Sequence, residues 1–160
     1  MVTEKRMKPT KLTTQILCRI INEKANAYAL ITGENDIHGT VALYDFDDKT
    51  LLLYQIENLP VSENCEGGIF GFHIHSGESC NDPQGHLNPN NCEHPYHLGD
   101  LPPLFAFHGV AWGLIMIDKF RVEDVLNRTF IVHRNPDDFH TQPSGNSGMI
   151  IACGEIKSLT

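Results

Sequence analysis

From Ala25 onward the chain is a succession of short runs rich in β-branched and aromatic residues: Tyr28 to Thr32, Gly39 to Phe46, Leu51 to Ile56, Ile69 to His75, Val110 to Ile117, Thr129 to His133 and Met149 to Ile156. Turn signals separate them, including Gly33-Glu34-Asn35-Asp36 and Asp47-Asp48. Val122 to Asn127 is long enough for one helical turn, and no long stretch carries a helical period. Many short strands joined by turns predict an all-β antiparallel sandwich or barrel. At 160 residues the chain suits one domain with a single core.

Residues 1–24 differ in character, mixing cations, threonines and a short apolar patch, and read as an appendage to a domain spanning 25–160. Thr13 and Thr14 are candidate caps for a short helix there, with an extended arm as the alternative. The run Ile16 to Ile21 is interrupted by Arg19 and is too short for a signal peptide. No run approaches the roughly 18 apolar residues of a spanning segment, so no membrane partner and a cytoplasmic location are expected. Twelve Lys and Arg against twenty Asp and Glu give a net charge of −8, which argues against nucleic acid as a partner. A reducing compartment would ordinarily keep the five cysteines as thiols, whereas export would make bridges easier to maintain.

The nine histidines are distributed unevenly, and all except His38 lie at or beyond His73. Two long connections, Ser76 to Phe107 and Arg134 to Gly148, hold most of them or flank them, and loops of this length in a small domain are usually functional. In Phe72-His73-Ile74-His75, strand alternation places Phe72 and Ile74 on one face and both imidazoles on the other. His-x-His on a strand presents two nitrogen donors to one metal or is simply an exposed pair. His86, His94, His97 and Asp100 follow as His-x7-His-x2-His-x2-Asp, three nitrogens and one carboxylate, which is a complete tetrahedral zinc set. His133, at the end of Thr129 to His133, adds another imidazole at a strand terminus.

The blocks Gly71 to His75, Gly85 to Pro89, His97 to Leu101, Arg128 to His133, Gly145 to Gly148 and Ile151 to Gly154 together resemble the copper/zinc superoxide dismutases, in particular bacterial-type members with short loops. The resemblance covers about Ala25 to Lys157. It implies a Greek-key β-sandwich, a flattened eight-stranded barrel with two long loops over the metals. By position, His73, His75, His86 and His133 would hold copper, and His86, His94, His97 and Asp100 would hold zinc, His86 bridging the two ions. Asp137 would link a copper histidine to a zinc histidine from the outer shell. Cys80 and Cys153 fall where the family places its intrasubunit disulfide. Cys65 and Cys92 lie outside that pattern and either pair or stay reduced, and Cys18 is expected to be a free thiol. The implied reaction is dismutation of superoxide by copper redox cycling, with His86 and His133 as the catalytic imidazoles, and the implied assembly is a homodimer.

One position departs from the pattern. Ile150 stands where the family places an arginine that attracts and orients superoxide, which removes a fixed positive charge from a site with an anionic substrate. Arg134 and His140, both in the second loop, are the candidates to replace that charge in part, but each reads more readily as a solvent-facing loop residue. The loss predicts reduced activity and supports, as the alternative, a non-enzymatic copper-binding or copper-handling protein on the same scaffold. A zinc-stabilised binding module without redox chemistry is a third reading.

Overall fold

The computed structural model describes residues 10–61 and 68–159. Helix α1 (Lys11–Asn22) precedes strands β1 (Ala27–Gly33), β2 (His38–Phe46), β3 (Lys49–Glu57), β4 (Ile69–Phe70), β5 (Phe72–His75), β6 (Leu104–Phe107) and β7 (Val110–Ile117). The single-turn helix α2 (Val122–Val125) follows, then β8 (Thr129–His133), β9 (Ile150–Glu155) and β10 (Lys157–Ser158). All pairings are antiparallel, in the order β4-β6-β7-β3-β2-β1-β9-β8-β5, with β10 beside β1.

The two ends of that order, β4 and β5, are consecutive in the chain and separated only by Gly71. The Ile69 to His75 run therefore belongs to both margins of the sheet and closes it into a barrel. Gly71 makes this possible because a Cβ there would press on the Ser147 side chain within 3 Å, while its N–H donates to Asn135 O (2.8 Å) and its carbonyl accepts from His133 N–H (2.8 Å). Counting β4 and β5 as one strand and setting aside the two-residue β10 leaves eight strands, the expected flattened Greek-key barrel. The interior is apolar: Phe72 and Phe130 stack with centroids 5.3 Å apart, and Ile31, Leu43, Leu52, Ile56, Ile74 and Leu104 are fully enclosed around them.

Two sequence expectations change. The connection after His75 is not loop throughout, because its last four residues form β6 with Leu104 inward and Phe105 outward. At the N-terminus the helical alternative holds, but the cap is Thr10, whose side-chain oxygen accepts from Thr13 N–H (3.2 Å). Cys65 lies outside the described residues, and with it the question of its partner; Cys18 and Cys92 are free and exposed.

The first long loop is laced to the barrel through β5. Ile74 N–H donates to Gly99 O (2.8 Å), Gly99 N–H to Leu87 O (2.9 Å), and Leu87 N–H to Ile74 O (2.8 Å). Three backbone segments can converge this closely only if the middle one lacks a side chain, since a Cβ on Gly99 would overlap the Ile74 carbonyl. Gly99→Ala is therefore expected to lower stability by about 1–3 kcal/mol. Denaturant unfolding of the two proteins checks this, and equal midpoints would contradict it.

Candidate metal centre

Strand β5 presents His73 and His75 on the face opposite Phe72 and Ile74, as alternation requires. Beside it, β8 ends in His133, where a register shift between Val132 and His133 turns the last imidazole toward the same place. The first loop returns across β5, with isolated bridges that set His86 opposite His75 and Asp100 opposite His73. Together these elements bring residues from four stretches of chain into two adjoining groups, His73, His75, His86 and His133, and His86, His94, His97 and Asp100. Within each group the candidate ligand atoms lie within 4.8 Å of one another, and His86 belongs to both.

Hydrogen bonds assign a role to nearly every ring nitrogen. His73 donates Nε2–H to Asp137 Oδ2 (2.7 Å), and His94 donates Nε2–H to Asp137 Oδ1 (2.8 Å), so one carboxylate spans both groups. His75 donates Nδ1–H to Gln84 O (2.7 Å) and His133 donates Nδ1–H to Gly148 O (3.1 Å). A neutral imidazole that donates from one nitrogen carries a lone pair on the other. Two of these lone pairs face each other, His75 Nε2 and His133 Nε2 being 3.4 Å apart; His86 donates Nδ1–H to Asp100 Oδ1 (2.7 Å), with His97 Nδ1 3.5 Å away. Asp100 Oδ2 is 3.1 Å from His94 Nδ1 and 3.3 Å from His97 Nδ1.

Three nitrogens, His73 Nδ1, His86 Nε2 and His94 Nδ1, are buried without a hydrogen-bond partner. Buried polar atoms are rarely left so, because desolvation is then uncompensated. An unpaired lone pair on each of three clustered imidazoles is the arrangement that a cation with nitrogen affinity completes. The donor set thus fits copper on the all-imidazole side and zinc on the side that includes a carboxylate.

Electrostatics agrees with that chemistry. Burial lowers the pKa of His73 to about 3, with the neighbouring His86 adding to the effect, and lowers His75 to about 4. Burial also lowers His97 and His133. For Asp100, burial acts to raise the pKa, but hydrogen bonds from His86 and from His97 N–H outweigh it and bring the carboxyl down to about 2. Near neutral pH His73, His75, His97 and His133 are therefore neutral and Asp100 is ionised, the forms that bind metals.

Several supporting residues carry no sequence signal. Gln142 brackets the His94 backbone, accepting from its N–H (2.9 Å) and donating to its carbonyl (2.8 Å) from 48 positions away. Lys119 donates to the carbonyls of His97 (3.3 Å) and Asp100 (3.1 Å). The Cys80–Cys153 disulfide, by contrast, is the one the resemblance implies, and it ties the first loop to β9.

The mouth of the site is an open cavity of about 690 Å³ reached by His75, His86, His97 and His133. Among the described residues lining it there is no Lys or Arg; Asn88, Asn91, Gln142 and Ser144 are neutral, and Glu93 adds a carboxylate. Ile150 opens β9 opposite His133 and is half exposed. Arg134 is engaged elsewhere, donating to Glu34 (2.6 Å), and the exposed His140 turns back on Asp138.

Residues 37–156 match the family described as "Copper/zinc superoxide dismutase (SODC)". The chain is 32% identical over 149 residues to "Superoxide dismutase-like protein YojM" of Bacillus subtilis, covering 79% of this chain and 73% of that protein. It is 32% identical over 127 residues to "Superoxide dismutase [Cu-Zn]" of Pasteurella multocida (65% and 68% covered) and 29% identical over 150 residues to the protein of that name from Neisseria meningitidis (79% and 77%). The chain belongs to the copper/zinc superoxide dismutase family. Copper and zinc are the metals that this family and these side chains specify. No described helix is long and apolar enough to cross a membrane.

The lowered imidazole pKa values carry a stability consequence for the metal-free chain. An unfolded histidine titrates near 6.5, above the folded values, so the unfolded state binds more protons as pH falls. Stability is fully present above about pH 6.5 and is lost progressively toward the folded values of about 4 and 3. His75 alone accounts for about 3 kcal/mol of this loss. Thermal unfolding of metal-free protein between pH 7 and pH 4 checks it, and an unfolding temperature that holds constant across that window would contradict the assignment.

Proposed function

We propose that this chain dismutes superoxide, with copper held by His73 Nδ1, His75 Nε2, His86 Nε2 and His133 Nε2, and zinc by His86 Nδ1, His94 Nδ1, His97 Nδ1 and Asp100. The observation that carries the reading is the set of unpaired buried nitrogens on His73, His86 and His94, which leaves the shared ring of His86 open toward the imidazoles of β5 and β8. Copper, when bound, supplies the one-electron steps that oxidise one superoxide to dioxygen and reduce a second, with two protons, to hydrogen peroxide.

The chain's own residues supply position and protons. Asp137 holds His73 and His94 in the tautomers that leave Nδ1 free, and the carbonyls of Gln84 and Gly148 do the same for Nε2 of His75 and His133. In this reading His86 Nε2 holds a proton in one half of the cycle and releases it in the other, a role supported by the contacts of its Nδ1 with Asp100 and His97, which keep the ring in place. The polar mouth, to which Glu93 adds a carboxylate, admits water and small solutes, and among the described residues that line it no Lys or Arg gathers an anion.

That last feature favours the second reading, a non-enzymatic copper-binding or copper-handling protein, as does the relative whose name is only dismutase-like. A homodimer is supported by an apolar patch on the outer face of the barrel, where the register pairs Ile69 with Phe105 and Phe107 with Val110, all four exposed on β4, β6 and β7 together with Trp112.

A dismutase assay on fully metallated protein across ionic strength separates the two readings. The expected outcome is measurable activity that holds or rises with added salt, because the anion meets a chain of net −8 without a guiding cation. Ile150→Arg is expected to raise kcat/KM by roughly tenfold and to make it fall with salt. Full metal occupancy without turnover, in both the parent and Ile150→Arg, would replace dismutation by the copper-handling reading.

A further inference from the structure

The second loop grips one residue of the first loop twice. Asp137 Oδ1 accepts from the His94 ring (2.8 Å), and further along the same loop the Gln142 side chain takes the His94 backbone, its Oε1 accepting from the N–H (2.9 Å) and its Nε2 donating to the carbonyl (2.8 Å). Among the described residues neither of these His94 atoms pairs with another backbone group, so the side-chain amide does for His94 what a neighbouring strand does for the ligands on the barrel. A primary amide suits this task because it offers an acceptor and a donor side by side. Gln142 is itself exposed, so the paired hydrogen bonds and not packing account for its placement.

Around Gln142 the loop is tied to itself. Asp138 N–H donates to Gly145 O (2.9 Å) and Gly145 N–H to Thr141 O (2.7 Å), while the Asp138 carboxylate accepts from Thr141 N–H (2.8 Å), the Thr141 hydroxyl (2.6 Å) and His140 N–H (3.0 Å). Residues 138–145 therefore form one tied unit. Gly145, at φ +66°, closes it directly against the Asp137–His94 contact, where a Cβ would overlap both the carboxylate and His94 Nε2. Gln142 also walls the mouth, together with Pro143 and Ser144, across from His75, His86, His97 and His133. One side chain thus holds the backbone of a zinc-group residue and lines the entrance to the copper group.

We propose that Gln142 is a positioning residue that couples zinc binding at His94 to the order of the mouth wall. A metal ion on His94 Nδ1 fixes the ring and the backbone that carries it, and the Gln142 amide passes that constraint to residues 138–145 and so to the wall. Coupling of this kind is reciprocal: a wall held through Gln142 keeps His94 placed for zinc, and cutting the link weakens zinc binding in turn. Asp137 holds the His94 ring alone, whereas Gln142 holds the backbone beneath it. The inference rests on the zinc assignment made above and not on dismutation.

The test compares the full chain with Gln142→Met, which keeps the length of the side chain and loses both hydrogen bonds. Zinc affinity is measured by competition with a chromophoric chelator, and hydrogen–deuterium exchange follows the amides of Asp138, Thr141 and Gly145 with and without zinc. In the parent, zinc is expected to slow exchange at these amides. In Gln142→Met, zinc is expected to bind roughly tenfold more weakly and, at saturation, to leave that exchange at its metal-free rate. The metal-free variant is expected to unfold at the parent's temperature, because Gln142 is exposed. Equal zinc affinity, or slowing by zinc that persists in the variant, overturns the inference and leaves the zinc assignment standing. Protection lost equally with and without zinc, together with a lower unfolding temperature, assigns Gln142 a structural role only and also overturns it. A parent that does not bind zinc removes the assignment itself, and the inference with it.

Discussion

The ring of His86 is the constraint around which the rest of the structure is arranged. Its Nδ1 faces Asp100 and His97, and its unpaired Nε2 belongs to the group formed with His73, His75 and His133. One imidazole can serve two adjoining groups only if both are placed to within a few tenths of an ångström, so every element near it must be held independently. Asp137 does this from behind, accepting from one histidine of each group through its two oxygens. Its own position is set by Phe139 N–H, 2.7 Å away.

The barrel supplies the rigidity that the loops lack. His73, His75 and His133 stand on paired strands whose opposite faces are packed by Phe72, Ile74, Phe130 and Val132. The two loops are then fastened to that platform at points spread along their length: by Gly99 against Ile74, by Gln142 against His94, by Lys119 beneath the His97 and Asp100 carbonyls, and by the Cys80–Cys153 bridge. Burial lowers the imidazole pKa values and the hydrogen bonds of Asp100 keep its carboxyl ionised, so the protein that holds the geometry also sets the protonation states the geometry needs.

Much of this is legible in the sequence because strand alternation and short-range spacing are local properties. Phe72-His73-Ile74-His75 announces its two faces directly, and the histidines and aspartate from His86 to Asp100 announce a ligand set by their density. What escaped is non-local. Gly71 looks like an ordinary residue within a strand, and its part in closing the barrel depends on which strands flank it. Strand β6 is hidden behind Pro102 and Pro103, at the end of a loop where only the Leu104 and Phe105 alternation remains. Gln142, Lys119 and the Gln84 carbonyl act across gaps that no pattern marks, and Asp137 was legible only through resemblance to a family.

The same scaffold thus combines a fully furnished metal centre with an entrance lined, among the described residues, by no Lys or Arg, and these two facts pull in different directions on the capture of an anion but not on metal binding. The most direct test of the central claim is anomalous diffraction from crystals of the metal-loaded chain, recorded at the copper and zinc absorption edges. The account predicts one copper peak and one zinc peak on opposite sides of the His86 ring, with Nε2 toward copper and Nδ1 toward zinc. A single peak, or His86 contacting only one of two ions, would contradict it.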